Sequence, residues 1–179
     1  MSVRLSLLAI LDQGSCYGYQ LRTELDRRTG SRGPVNVGQI YNTLDRLERD
    51  KLIRSTDRDN TFEITDAGRD AVRTWFGSAS PSDELPNKLA LAATLPGVNV
   101  LGIIRIQREH RVVAPVSSSI PATAEQLASA IIAQSDNRAI SSELALLDEI
   151  EELVVSAAVV ALPLSTELPK RGRPSKSAR

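Results

Sequence analysis

Apolar positions recur along the chain at two periods, and the change of period marks out its elements. Residues 3–12 are almost entirely aliphatic, and their Leu and Ala content predicts a helix with Ser2 as its cap. Gln13-Gly-Ser breaks it. Ser15 is then expected to cap a second helix over residues 17–28, with Leu21 and Leu25 on its inner face. Gly18 inside this helix costs local stability, and close approach to a neighbouring helix would explain it. Residues 29–34 form a Gly/Pro-rich turn. Over residues 36–51, Ile40, Leu44 and Leu47 form an apolar stripe at helical spacing. Gly38, Asn42, Arg46 and Arg49 fall on the opposite side, with Gln39 at its edge. Asn36 suits the N-cap, and Gln39 three residues later completes a capping-box pattern. After Leu52 the period shortens. Residues 53–57 and 61–64 predict two short strands joined by a turn at Arg58-Asp59-Asn60. Residues 65–76 return to helix, capped by Thr65 or Asp66.

The second half is helical throughout. Residues 77–97 read as a linker followed by a short helix with Ser82 as a candidate cap, ended by Pro96-Gly97. Asn99 can cap a long helix through about Val113, stopped by Pro115. Residues 123–134 predict another helix. Residues 139–161 then carry two stripes: Ile140, Leu144, Leu147, Val154, Ala158, Ala161, interrupted by Glu151, and Leu146, Ile150, Leu153, Ala157, Val160. Together they make an apolar face wider than one two-helix seam requires. Such a helix needs more than one neighbour, and a second copy of the chain is the expected extra one. Ile140, Leu144, Leu147, Ile150 and Val154 are the expected dimerisation residues.

Composition narrows the function classes. Hydrophobic residues make up 41% and aromatic residues 3%, which favours aliphatic helix packing over an aromatic-rich β-fold. Lys+Arg and Asp+Glu balance at 22 each, which argues against a globally basic coat and leaves room for local basic patches. The single cysteine, Cys16, excludes an internal disulfide and a cysteine zinc cluster and fits a reducing cytoplasm. No secretory signal and no membrane-length apolar run is present. The lone histidine, His110, lies among charged residues on a helix and reads as a solvated face. No phosphate-binding glycine loop and no triad can be assembled around one histidine, so neither enzyme, metal site nor cofactor is expected. Trp75 and Cys16 read as packed core residues.

What remains is the polar face of residues 36–51. Asn and Gln can pair with adenine, and Arg with guanine, in a DNA major groove. Three helices followed by a hairpin is the order of a winged helix-turn-helix, whose third helix enters that groove while the hairpin lies along the backbone. The expected fold is mainly α: a winged helix-turn-helix with a two-stranded wing over residues 1–76, an all-helical dimerisation and effector domain over 77–168, and a basic tail over 169–179.

Four motifs in this order carry a closer resemblance: Tyr17-Gly-Tyr-Gln-Leu, Gly38-Gln-Ile-Tyr-Asn-Thr-Leu-Asp-Arg-Leu-Glu, Leu52-Ile53 and Ile64-Thr-Asp-Ala-Gly-Arg69. Over residues 5–76 the chain resembles the PadR family of bacterial regulators. The resemblance implies a winged-helix dimer that represses transcription on a pseudo-palindromic operator and is released by a small effector, with an aromatic or phenolic acid as the first expectation. Gln39, Asn42 and Arg46 are expected to read bases. Asn36, Tyr41, Thr43, Arg49, Arg54 and Arg58 are expected to hold phosphates, with Tyr41 matching the family's recognition-helix tyrosine. The family's second wing strand usually carries an Arg-Lys pair where this chain has Asp59-Asn60, which weakens the wing's side of that expectation.

The tail has Lys170, Arg171, Arg173, Lys176 and Arg179 and no acid, a composition expected to be disordered when free. Arg171-Gly-Arg-Pro174 looks like an AT-hook. Gly172 removes the side chain that would strike the groove floor, and Arg171 and Arg173 can lie along a narrow A·T minor groove. The expected partners are therefore double-stranded DNA, a second copy of the chain and a small effector, in the bacterial cytoplasm at the nucleoid. The rival expectation is an architectural binder of A·T-rich DNA with little sequence selectivity.

Overall fold

A computed structural model describes residues 2–30, 36–56, 61–113, 120–157 and 161–165. Among them are seven helices and one three-stranded antiparallel sheet, the architecture of a winged helix-turn-helix followed by a helical region. Helix α1 (Val3–Leu11) is buried on nearly all sides, with Leu7, Leu8 and Ile10 fully enclosed. The Ser2 side chain does not cap it. The Ser2 carbonyl instead accepts from both the amide and the hydroxyl of Ser6.

The next element corrects the sequence reading. Cys16–Tyr17 is a short strand, β1, and helix α2 (Gly18–Thr29) begins only after it. Burying Cys16 opposite Phe62 draws these two residues into the sheet. Ser15 is thereby turned from the helix and donates to Glu63, 3.2 Å away. Helix α2 ends at Gly30, whose φ of 70° is left-handed. Helix α3 (Val37–Arg49) follows, then β2 (Ile53–Ser55), β3 (Thr61–Ile64) and α4 (Asp66–Phe76). The sheet order is β1-β3-β2, so the wing is two strands extended by a third. The predicted turn at Arg58-Asp59-Asn60 lies outside the described residues.

The junction of α3, β2 and α4 is tightly built. Lys51 takes a left-handed φ of 59°. The Leu52 amide then reaches back to the Leu47 carbonyl and the Lys51 amide to that of Glu48, a Schellman ending. Thr65 ties the other side, its hydroxyl donating to the Lys51 carbonyl and accepting from the Gly68 amide. A Cβ at Gly68 would stand 2.2 Å from the Leu52 carbonyl oxygen, so only glycine fits there.

Helix α5 (Leu85–Thr94) has Glu84, not Ser82, at its N-cap; the Ser82 hydroxyl is engaged by Glu143 instead. Helix α6 (Val100–Glu109) is capped by Asn99 as expected but stops at His110. Beyond it, Arg111 is drawn sideways to Glu143 (2.7 Å) and the Ser80 carbonyl (2.9 Å). Helix α7 (Ala124–Ser156) is one helix of 33 residues where the sequence suggested two. It is about 50 Å long at 1.5 Å per residue. The polar Ser135-Asp-Asn-Arg138 looks like a break by periodicity, but it holds no Gly or Pro to stop the helix.

Two apolar clusters hold the chain. One joins α1, α2, α3, the sheet and α4, and takes in Leu91 of α5 and Leu95 just after it. The other joins α5, α6 and the Leu147 region of α7. Lys88 of α5, 1% exposed, clamps them together. Its ammonium donates to the carbonyls of Trp75 (2.5 Å) and Ser78 (2.6 Å) and to the Ser80 hydroxyl (3.1 Å).

Residues 161–165 do not stay with the second cluster. They return as an extended strap across α2, with Leu164 packed against the first cluster. The strap lies on a buried ion pair, Glu24–Arg28, at 2.9 Å. Arg28 also donates to the carbonyls of Thr94 and Leu162, Glu24 accepts from the Ser165 amide, and Gln20 donates to the Ser165 carbonyl.

Candidate nucleic-acid interface

Helix α3 buries Ile40, Leu44 and Leu47 completely and leaves Gly38, Gln39, Asn42, Arg46 and Arg49 exposed. The stripe at helical spacing decides this, because burying it forces the polar positions outward. Asn36 caps the helix, its side-chain oxygen accepting from the Gly38 amide at 2.9 Å. Gln39 remains exposed, with its amide available on the outer face. Gln39, Asn42 and Arg46 are thus brought onto one continuous surface of one helix.

Tyr41 takes an intermediate place, 38% exposed. Its ring edge lies over Gly18, where an added Cβ would meet it at 2.8 Å. Gly18 is the first residue of α2, not an interior one as the sequence suggested, and it is the point of close approach between α2 and α3. The ring edge and the hydroxyl both rest against Gly18. The Thr43 hydroxyl donates to the Gln39 carbonyl at 2.7 Å and is committed to its own helix. Arg49 leans on Asp50 (3.4 Å), which also takes Arg4 (2.8 Å).

On the wing, Arg54 is paired across the strands with Glu63, 2.9 Å away. The Arg54 guanidinium is the main cause holding the Glu63 carboxyl below its ordinary range, with Ser15 assisting. The described part of the wing therefore presents a neutral pair where the sequence suggested a free cation. Glu63 was not singled out by the sequence, because a cross-strand partner becomes visible only once the register, Arg54 opposite Glu63, is known. Arg58 and the tail residues Arg171, Gly172 and Arg173 lie outside the described residues.

A second candidate site sits between the two clusters. A cleft of about 530 Å³ is walled by Val72, Phe76, Ile103 and Ile106, with Gln13, Arg73 and Arg105 also on its lining. The Gln13 side-chain nitrogen is buried and has no hydrogen-bond partner. An unsatisfied buried donor is costly. Cys16, by contrast, is inert: burial, reinforced by Glu24, pushes its thiol up to about 12. Among the described residues, no group of His, Cys, Asp or Glu is placed to hold a metal ion, and no helix is long and apolar enough to cross a membrane.

The stripe expected to meet a second copy is largely occupied within the chain. Leu147 is fully buried against α5 and α6, and Leu144, Ile150 and Val154 pack beside it. Glu151, which interrupts the stripe, pairs with Arg108 at 2.5 Å. Ile140 lies beside Arg111, Val112 and Glu143 at the same junction. The face of α7 left open is the neighbouring one, with Leu127, Ile131, Leu146 and Leu153 between 39% and 67% exposed.

These features define a winged helix-turn-helix with an exposed polar face on α3. Residues 7–74, from α1 through most of α4, match the model of the Transcriptional regulator PadR-like family, a match covering under half of the chain. Similar solved structures include Bacillus subtilis PadR in complex with operator DNA, at 16% identity over 86% of this chain and 99% of that one, with a TM-score of 0.39. The same protein in complex with p-coumaric acid is 17% identical over 87% of this chain and 100% of that one, with a TM-score of 0.41. The Vibrio cholerae virulence activator AphA is 21% identical over 87% of this chain and 100% of that one, with a TM-score of 0.39. No curated protein matches the chain.

Proposed function

We propose that this chain is a DNA-binding transcriptional repressor that acts as a homodimer on a pseudo-palindromic operator and is released by a small effector. The observation that carries the reading is the outer face of α3, where Gln39, Asn42 and Arg46 are exposed together above a fully buried stripe. These side chains suit base edges in the major groove, and Tyr41 and Arg49 flank them for phosphates. Asn36 is occupied as a cap, Thr43 by its own helix and Arg54 by Glu63, so they serve the interface by shaping it more than by direct contact.

The open face of α7 supports the dimer. A stripe of Leu127, Ile131, Leu146 and Leu153 along one helix is a seam a second copy can cover, and twofold pairing would present two α3 helices to half-sites about one helical turn apart. The cleft supports the effector. Its apolar walls suit an aromatic ring, while the Gln13 donor and the Arg73 and Arg105 cations suit a carboxylate. An effector acts only if it binds one arrangement of the dimer better than the other. The basic tail adds minor-groove contact through Arg171, Gly172 and Arg173.

Footprinting on the DNA upstream of the chain's own gene, followed by competition at fixed salt, tests the reading. A pseudo-palindromic site should outcompete shuffled DNA of equal A·T content by at least about 100-fold, and p-coumaric acid serves as the first effector probe. Equal competition by the shuffled duplex would overturn the repressor reading in favour of an architectural A·T-binding protein.

A further inference from the structure

Residues 161–165 belong to no helix or sheet, yet they lie on some of the most buried polar chemistry in the chain. Glu24 and Arg28 of α2 are 0% and 3% exposed. Arg28 donates to the Leu162 carbonyl (3.0 Å) and Arg27 to the Pro163 carbonyl (2.6 Å). Glu24 accepts from the Ser165 amide (3.0 Å), and Gln20 donates to the Ser165 carbonyl (2.9 Å). From the other side, the Thr94 carbonyl accepts from the Leu162 amide (3.0 Å). Each of these bonds ends on the main chain of the strap. The Leu164 side chain packs against the first cluster and over Gly14.

This is the geometry of a site that recognises an extended peptide. Gln20, Glu24, Arg27 and Arg28 share one face of α2. Their partners run backwards along the strap, from Ser165 to Leu162, so the strap lies antiparallel to the helix. The lengths match, since α2 rises about 12 Å from Gln20 to Arg28 and an extended chain covers about 10 Å from Leu162 to Ser165. In such sites main-chain hydrogen bonds supply affinity and a side-chain pocket supplies selectivity. Pro163 suits the exposed position it holds, because it has no amide to satisfy and its fixed φ favours extended chain. The site also demands an occupant. Without one, the buried Glu24–Arg28 pair would lose hydrogen bonds that offset its desolvation. The occupant is detachable, since no helix or sheet unravels when it leaves.

We propose that this face of α2 is a binding site for an extended apolar-Pro-apolar-Ser segment, closed here by the chain's own residues 161–165 and filled by the same segment of a second copy when that strap is displaced. Reciprocal exchange costs few contacts, because each bond broken within one copy is remade between two. The site stands whether or not the chain binds DNA, and it is a contact between copies separate from the open face of α7.

Two measurements on the full chain test it. The first uses a labelled Ala-Leu-Pro-Leu-Ser peptide with blocked ends, standing for the second copy's segment, and follows fluorescence anisotropy. Leu164→Asp unseats the chain's own strap. It should bind the peptide at least about tenfold more tightly than the wild type, whose strap competes at an effective concentration of about 1 mM. A peptide with Asp in place of its second Leu should not bind. Arg27→Ala, added to the Leu164→Asp chain, should weaken binding by about fivefold. A Leu164→Asp chain that is folded by circular dichroism and shows no saturable binding overturns the proposal, and so does equal binding of the two peptides. The second measurement is amide hydrogen exchange of the wild type. The Leu162 and Ser165 amides should exchange through one shared opening, at least about 100-fold faster than the amides of α1 that wait for global unfolding. Strap amides that exchange only with global unfolding make the segment a fixed part of the core and overturn the proposal.

Discussion

Gly68 shows how much a single hydrogen in place of a methyl group decides. A Cβ there would overlap a backbone carbonyl at 2.2 Å, and neither partner is the movable end of a side chain. Gly68→Ala should lower unfolding stability by about 3 kcal/mol, measured by urea titration. Gly18 is a milder case. Its neighbour is the tip of the Tyr41 ring, which can swing away. Gly18→Ala should leave the fold within about 1 kcal/mol of the wild type and weaken operator binding by displacing Tyr41. If affinity is unchanged while the ring moves, Tyr41 is a packing residue only. Only Gly18 stood in the sequence as a cost to helix stability, and a close approach was anticipated from it. Gly68 gave no such sign, because its clash is with a carbonyl sixteen residues earlier in the chain.

Among the helices, α3 was the most legible, since its buried stripe and polar face follow from spacing alone. Two-residue β1 was not, because no period can be read from Cys16-Tyr17 and its strand character comes entirely from pairing with β3. For α7 the periodicity was right about the breadth of the apolar face. Which stripe the chain covers itself is not legible, because nothing local tells one from the other. Helix α5 carries the least expected element-level device, the buried Lys88. Burial pushes its ammonium down to about 8, opposed by Glu84. Its ordinary value is 10.5, so between these limits the unfolded chain binds more protons than the folded one, and stability rises with pH. Cys16 acts in the opposite sense above about 9, its ordinary value, since the folded chain keeps the thiol proton. The melting temperature should therefore climb between about pH 8 and 9, and Lys88→Met should remove that climb. The variant should also lose about 2 kcal/mol or more at pH 7, because the Ser78 carbonyl and the Ser80 hydroxyl lose their Lys88 donor and the Trp75 carbonyl keeps only Ser78.

Across the whole molecule, carboxylates tie distant segments together. Burial raises Glu24, but the Ser165 amide and the Arg27 and Arg28 guanidiniums outweigh it and hold the carboxyl below its ordinary 4.5. Glu143 follows the same pattern, with Ser82, Gln107 and Arg111 overcoming burial. Carboxyls held low in the folded state contribute stability above the unfolded value and lose it as pH falls through the folded one. Acid unfolding should therefore set in below about pH 4.5 and release the strap and the α6–α7 junction together. Glu24→Ala should cost about 3–5 kcal/mol at pH 7 by leaving Arg28 buried without its anion. A loss below 1 kcal/mol would show that the strap carries no structural weight. None of this was visible in sequence order, where the apolar pattern of the last helix ends at residue 161 and Glu24 carries no signal of its own.

The bond between Glu24 and Ser165 spans 141 positions, and it makes the winged helix late to finish. Chains are synthesised from the N-terminus at about 5–20 residues per second, so residue 165 follows α2 by roughly 7–28 s. Until then Glu24 and Arg28 lack part of their coordination, and the recognition helix rests on an incomplete support. Long-range closures of this kind also slow folding, because loop entropy is lost before the contact forms. A nascent or truncated chain would thus present the motifs of a DNA binder on an immature scaffold. On the function proposed above, tight binding would arrive only with the helices that carry the cleft and the open face of α7.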